Sequence, residues 1–513
     1  MITPGFFGFY NAHRGLVATQ NALNTVSHNI SNANTEGYSR QRVDLEAYTP
    51  YTTPNMSQLI GGQLGQGPWV QQVTRSRDVF LDAQFRQSSG TLGLDTAIRD
   101  ALQQVEGVLT EPSVSGINTA IQNFFDSSQE LSLHPESMAV RANYIQQAID
   151  MVNVFQQQGL QLSDLRRNLV GDPAVAASLD TSKLAISVND VNTLLGNIAA
   201  INRSIISVKV SGAQPNDLMD QRDKLLDDLS KLVDIDVTNY DNGQIDLTIG
   251  GQVMIRSADQ IESLEVVVNP NAPPGPPIPT YDDVPAFVQT VNGGVVLNNG
   301  AGAEITAGSI KGISDMGGND PNLSTVRGVL EKLDTLLDTI VTQVNLLQQA
   351  GRDITGALGP PDIFFNDPAL NPTETLNLFH WRVTQSVITD PGEVAAAIDD
   401  ATAPGGFAGV GDGRNALNMA QLRDQTFAAL GTTFVDYFNG ITSKLGIDTR
   451  SYQNTSSSQE GLVQAVDQRR QSVSGVNVDE EMIDMLRYQR AFEATSKTIQ
   501  MFDDVVKTIL SLT

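Results

Sequence analysis

Cysteine is absent from all 513 residues, which removes disulfides, thiolate metal ligands and cysteine nucleophiles at once. Positive charge is scarce too: 32 Lys and Arg stand against 58 Asp and Glu, a formal net charge of −26. Nucleic acid and anionic membranes reward clustered cations, so no nucleic-acid partner and no membrane insertion is expected. The only histidines, His13, His28, His134 and His380, form no HxxxH or HExxH pair. A transition-metal site therefore lacks its usual ligands, and no metal and no cofactor is expected. No apolar run reaches the about 20 residues that cross a bilayer. The N-terminus, MITPGFFGFYNAHRG, lacks the basic start, apolar centre and small-residue cleavage site of a signal peptide. Taken alone, these absences suggest a cytosolic protein.

Catalytic motifs are missing as well. There is no GxSxG elbow and no phosphate-binding GxxxxGK[ST] loop, and the nearest approach to a calcium loop, Asp241-Asn242-Gly243, reads as a turn. Asp479, Glu480 and Glu481 sit where a helix start favours negative charge, which accounts for them better than paired acid/base chemistry. The chain is not expected to be an enzyme.

What is present is helical pattern at both ends. Phe9, Ala12, Leu16, Thr19, Leu23, Val26 and Ile30 step by three and four, a heptad stripe. Thr3 before Pro4 offers a helix start. The stripe stops in NISNANTEGYSRQ, 29–41, where Asn and Gly tolerate left-handed backbone and close helices. At the other end Met485, Tyr488, Phe492, Thr495, Ile499, Phe502, Val506 and Ile509 repeat the spacing. Asn477 is the expected cap there, with Glu480 completing a capping box. Each helix would be about 40 Å long with one narrow apolar seam, and neither can bury it alone. The two ends are therefore expected to pack on each other.

Between them, 40–90 reads as extended, 92–168 and 183–233 as helical, and IDVTNY, GQIDLTIGG, QVMIRS and IESLEVVVN as short strands. PNAPPGPPIP, 270–279, is a Pro-rich loop. Helix returns over 326–349 and 415–445. The expected fold is multi-domain, mainly α with β insertions. Long N- and C-terminal helices pair as a coiled-coil rod (1–62 with 451–513). A helical-bundle shoulder domain (63–233 with 322–352 and 414–450) follows, then a β-rich outer domain (234–321) and a small irregular or β insertion (353–413).

ALNTVSHNISNANTEGYSRQRV resembles the N-terminal motif of the flagellar rod, hook and hook-associated axial proteins. GPWVQQVTRSRDVFLDAQFR, 67–86, looks like that family's next segment, a strand leading into an Arg-Asp-x-Phe-Leu helix start. SGVNVDEEMIDMLRYQRAFEATSKTIQMFDDVVKTIL is similar to its C-terminal helix. GYSRQ, SGVNVDEE and GDGRNALNMAQL, 411–422, are closest to the hook-associated branch. Together these segments cover about a third of the chain.

The resemblance implies a structural subunit of the bacterial flagellum that joins hook to filament, exported without a cleaved signal peptide and located outside the cell. It implies a homo-oligomeric ring, hook protein below, the next hook-associated junction protein above, and an export chaperone on the C-terminal helix. Phe9, Leu16, Leu23, Val26, Asn29, Ile30, Asn32, Gly37, Tyr38, Met485, Tyr488, Phe492, Ile499, Phe502 and Val506 are the candidate assembly and partner contacts. Two rival readings remain at this point: a hook or rod subunit with the same termini, and a secreted enzyme or adhesin on a flagellar scaffold.

Overall fold

The computed structural model describes residues 7–50, 65–109, 116–171, 180–256, 260–268, 286–290, 305–318, 325–371 and 376–511. The expected Thr3-Pro4 helix start and the Pro-rich loop 270–279 lie outside the described residues, as does the side chain of Ile509. The helices are α1 (Phe7–Ser31), α2 (Val79–Leu109), α3 (Ile117–Leu133), α4 (Met138–Val170), α5 (Lys183–Val210), α6 (Asn216–Leu232), α7 (Ser309–Gly317), α8 (Val326–Ala350), α9 (Gln385–Thr389), α10 (Arg414–Gln421), α11 (Phe434–Ser474) and α12 (Val478–Ser511). The strands are β1 (Gln41–Ala47), β2 (Pro68–Arg75), β3 (Ile235–Asn239), β4 (Ile245–Ile249), β5 (Gln252–Arg256), β6 (Gln260–Ile261), β7 (Leu264–Val268), β8 (Ala286–Thr290), β9 (Gly351–Arg352), β10 (Phe364–Asn366), β11 (Trp381–Val383) and β12 (Ala397–Ile398).

Two compact units emerge. The first gathers Met1–Ser89, Thr193–Glu262 and Glu460–Thr513; the second gathers Gly90–Asn192 and Ser263–Gln459. In the first, β1 and β2 form an antiparallel hairpin with a register shift at Asp44/Leu45. Strands β3 to β6 form an antiparallel sheet in sequence order. Along β4, Ile245, Leu247 and Ile249 alternate into the core, the period-two pattern of a half-buried sheet. The β3–β4 turn places Gly243 at φ 83°, where a residue with a Cβ is strained.

In the second unit α3 and α4 pack through fully buried Phe124, Phe125, Tyr144 and Phe155. Phe364 and Phe434 extend this aromatic core, with centroids 6.1 Å from Phe124 and 5.7 Å from Phe125. Helix α8 contributes Leu333, Leu337, Ile340 and Val344, and its start is capped by Thr325, whose side chain accepts from Gly328 N. Buried Arg141 on α4 donates to the carbonyls of Pro135 (2.6 Å) and Val394 (2.6 Å), so the loop at 391–394 is held to the helix.

Three local expectations change. Helix begins at Val79, inside the stretch that pattern alone reads as extended but where the resemblance implies a helix start, because Asp78 Oδ1 accepts from Phe80 N at 2.9 Å and starts the turn. The region 415–445 is two helices, α10 and α11, with a break after Asp424. Helix α5 is long and apolar enough to cross a membrane by length and composition, contrary to the reading that no run qualifies. Its buried residues Leu184, Val188, Val191, Leu195 and Ile198 lie along one face, while Asn189, Asp190 and Asn197 are exposed. That is the pattern of an amphipathic helix.

Candidate functional site

Helices α1 and α12 pack side by side in the first unit. Their direction follows from three meetings. A Cβ on Gly8 would strike the Phe502 ring, a Cβ on Gly15 would come within 3.3 Å of Thr495 Cγ2, and Asn29 Nδ2 donates to Glu481 Oε2 at 2.8 Å. Each step up α1 is matched by a step down α12, so the pair is antiparallel.

On α12 the expected stripe lies in phase: Met485, Tyr488, Phe492, Ile499, Phe502 and Val506 are all half-buried. On α1 the deepest line is Ala12, Gly15, Ala18, Ala22, Val26 and Asn29, while Phe9, Leu16, Leu23 and Ile30 flank it half-buried. Small residues occupy the line of closest approach because the helix backbones come together there. An open apolar groove of about 550 Å³, lined by Gly8, Ala12, Gly15, Pro68, Thr495 and Phe502 among others, runs beside this line.

The Asn-rich motif forms the closed end of the pair. Asn29, at the last turn of α1, uses its whole amide. Nδ2 donates to Gln41 O at 2.9 Å as well as to Glu481, and Oδ1 accepts from Gln41 N (3.0 Å) and the Tyr38 hydroxyl (2.8 Å). Burial, with Asp217, Asp220 and Glu481 nearby, raises the Tyr38 pKa, so the phenol remains a donor. Asn32 Nδ2 donates to His28 O at 3.0 Å, and Gly37 adopts φ 83° in the exposed turn. His28 Nε2 lies 3.3 Å from Asp217 Oδ1 and its ring meets Tyr38 edge-on.

Glu481 is only 1% exposed. Arg40 Nε donates to its Oε1 at 2.6 Å and Asn29 to its Oε2. The capping box does not form: Asn477 Oδ1 accepts from Asp479 N at 3.0 Å as expected, but Glu480 turns to Arg40 at 3.4 Å. Arg40 competes for that carboxylate with a full charge, which a neutral backbone N–H cannot match.

Helix α6 seats the hairpin that follows the motif. Ser39 N donates to Asp220 Oδ2 at 3.0 Å, and Arg75 bonds Asp220 (2.7 Å) and Asp223 (2.8 Å). Arg77 holds Asp82 at 2.7 Å, Arg86 holds Asp227 at 2.8 Å, and Arg470 bonds Asp227 while its guanidinium lies 4.0 Å over the Phe85 ring. Four guanidiniums thus meet four carboxylates. Burial opposes the charge on Asp223, but Arg77, Arg75 and Arg86 outweigh it and hold that carboxyl below the ordinary range. For Asp220 burial prevails over Arg75 and raises it.

Sequence reading placed Asn29, Tyr38 and both stripes at one site, and they are neighbours. It missed Glu481, Arg40 and the carboxylates of α6. The available signal was the spacing Asp217, Asp220, Asp223, Asp227, steps of three, three and four that line one helix face, set against Arg75, Arg77 and Arg86.

This geometry uses the two ends of the chain, and comparison with known proteins divides along the same line. Residues 9–38 match the family model described as flagella basal body rod protein, and 467–512 match the C-terminal model of the flagellar basal body rod FlgEFG proteins. Residues 102–365 match the helical domain of the flagellar hook-associated protein FlgK. Flagellar hook-associated protein 1 of Bacillus subtilis (strain 168) is 30% identical over 522 residues, covering 99% of both chains.

The chain belongs to the FlgK family.

The Escherichia coli (strain K12) hook-associated protein 1 is 26% identical and the Salmonella typhimurium one 25%, each over 98% of this chain and 99% of its own. The flagellar hook junction protein FlgK of Burkholderia pseudomallei has a similar fold, with a TM-score of 0.60 at 16% identity over 76% of this chain and 100% of that one. The FlgK family is a structural, hook-associated family of the flagellum. The match over 102–365 separates this chain from rod and hook subunits that share only the termini.

Proposed function

We propose that the chain assembles with further copies at the distal end of the hook and serves as the adaptor between hook and filament. The observation that carries this reading is the paired termini. Beyond its stripe toward α1, α12 bears a second apolar set on its opposite side, with Met482, Ile483, Leu486, Met501 and Val505 each more than half exposed. One two-helix pair is marginal in water, whereas neighbouring copies bury the second set. Such contacts repeat head to tail around an axis.

In this reading Phe9, Leu16, Leu23, Val26, Ile30, Met485, Tyr488, Phe492, Ile499, Phe502 and Val506 build the coiled-coil rod, and Asn29, Asn32, Gly37 and Tyr38 fix its end. A ring of copies binds hook protein below and the next hook-associated protein above. Before assembly the α12 helix is held by an export chaperone, and the chain leaves the cell without cleavage of a signal peptide. The terminal core (1–62 with 451–513), shoulder, strand-rich outer part (234–321) and insertion (353–413) are the working modules of this adaptor. The full-length similarity to hook-associated relatives supports the reading.

Co-sedimentation of the purified chain with isolated hooks tests it. Leu23→Asp and Phe492→Asp are each expected to abolish binding while the thermal transition of the second unit is retained. If either variant still joins hooks and supports filament growth, the paired-helix adaptor is wrong.

A further inference from the structure

The chain has eleven methionines and no cysteine, so its sulfur redox chemistry belongs to thioethers alone. Their exposure spans a wide range. Met151, Met254, Met316 and Met419 are at 0%, whereas Met482 is 53% and Met501 62% exposed. Both lie on α12, on the side turned away from α1, among Ile483, Leu486 and Val505. The third methionine of that helix, Met485, is half-buried against α1. Met219 on α6 is half-buried like Met485, and Met138, 46% exposed at the start of α4, is the remaining exposed one among the described residues and belongs to the second unit.

An exposed thioether reacts with peroxides far more readily than a buried one, and its sulfoxide is polar where the thioether was apolar. We propose that Met482 and Met501 are an oxidation-sensitive switch on the assembly face: peroxide converts them to sulfoxides and the free chain stops joining its neighbours. This rests on the reading of α12 as an assembly face. The step is a two-electron transfer. The Sδ lone pair attacks one oxygen of hydrogen peroxide, an S–O bond forms as the O–O bond breaks, and the departing oxygen leaves as water after proton transfer. Sulfur is oxidised and the peroxide reduced. Methionine sulfoxide reductases of both epimer specificities reverse the change, so the device is resettable, unlike damage to a backbone.

The face loses affinity for two reasons. Burying a sulfoxide requires a hydrogen-bond donor that an apolar neighbour does not supply. The two positions are also spread along the helix, so oxidation interrupts the apolar strip near both ends. Met138 serves as an internal control, because its sulfoxide lies outside the assembling unit.

The test treats the full chain with hydrogen peroxide and locates each sulfoxide by peptide mapping, as a peptide one oxygen heavier. Binding to isolated hooks is then measured by co-sedimentation. The expected result is loss of binding by treated wild type, retention by treated M482L/M501L, continued loss by treated M138L, and recovery when the treated wild type meets both reductases. Three results would overturn the inference: no sulfoxide at 482 or 501, unchanged binding with both positions oxidised, or equal loss in M482L/M501L. Failure of untreated wild type to bind hooks would instead sink the proposed function, and this inference with it.

Discussion

Asn29 shows how a single side chain can be legible in one respect and hidden in another. Its place in an Asn-rich run marks the end of a helix, and α1 does end two residues later. Its partner Glu481 lies 452 residues away, and no local pattern announces a contact at that separation. Glu481 itself was read from its neighbours as a helix-start charge, whereas its burial decides its role. Asp95 on α2 is a second hidden case. It is 7% exposed, its Oδ2 has no hydrogen-bond partner among the described residues, and burial raises its pKa. A carboxyl whose folded value exceeds its unfolded one leaves stability intact below the unfolded value and subtracts from it as pH rises through the folded value. Asp95→Asn, which is never charged, should therefore be more stable than wild type at neutral pH. The advantage should vanish about one unit below the ordinary carboxylate value of about 3.9. Urea titrations at the two pH values decide it, and equal differences at both would mean that the carboxyl is solvated.

At the scale of elements, the strands were readable because each short β-branched run is bounded by Gly, Asn or Asp, and β3, β4 and β5 occur where those runs lie. A period count passes over the start of α2 because Asp78 acts through its side chain, whereas the resemblance over 67–86 implies a helix start at Arg77-Asp78, next to Val79 where α2 begins. The expected α1 stripe shares Ala12 and Val26 with the line of closest contact, but where it steps through Leu16, Thr19 and Leu23 the line runs through the smaller Gly15, Ala18 and Ala22. Helix packing rewards backbone proximity as much as side-chain size. Gly15 sits on that line, fully buried. Gly15→Ala gains about 1 kcal/mol of helix propensity and adds a Cβ only 3.3 Å from Thr495 Cγ2, so it should be close to neutral. Gly15→Leu has no room for its branches and must separate the helices, at a cost of roughly 1–3 kcal/mol. Protease protection of 7–31 in the two variants distinguishes them. Equal protection would show that α1 and α12 approach less closely than the geometry requires.

For the molecule as a whole, the pairing of α1 with α12 joins segments from opposite ends of the chain, and that separation has an energetic consequence. Closing a loop of 452 residues costs about 5 kcal/mol of chain entropy if the intervening chain is unfolded, and far less once its units have formed. The terminal pair should thus form last and be lost first. Burial points the same way: the stripe of α12 is half-buried throughout, and Glu481 is its one fully buried residue among those whose side chains are described. The core of the second unit, by contrast, holds Phe124, Phe125, Tyr144 and Phe155 at 0–1% exposure. Hydrogen exchange of the free monomer in rising urea should therefore release 7–31 and 478–511 well before α3 and α4. In hook-bound protein, where neighbours supply the missing burial, the order should tighten toward a single step. Simultaneous release in the free monomer would mean that the terminal pair is self-sufficient. The drive for assembly would then have to come from surfaces other than the back of α12.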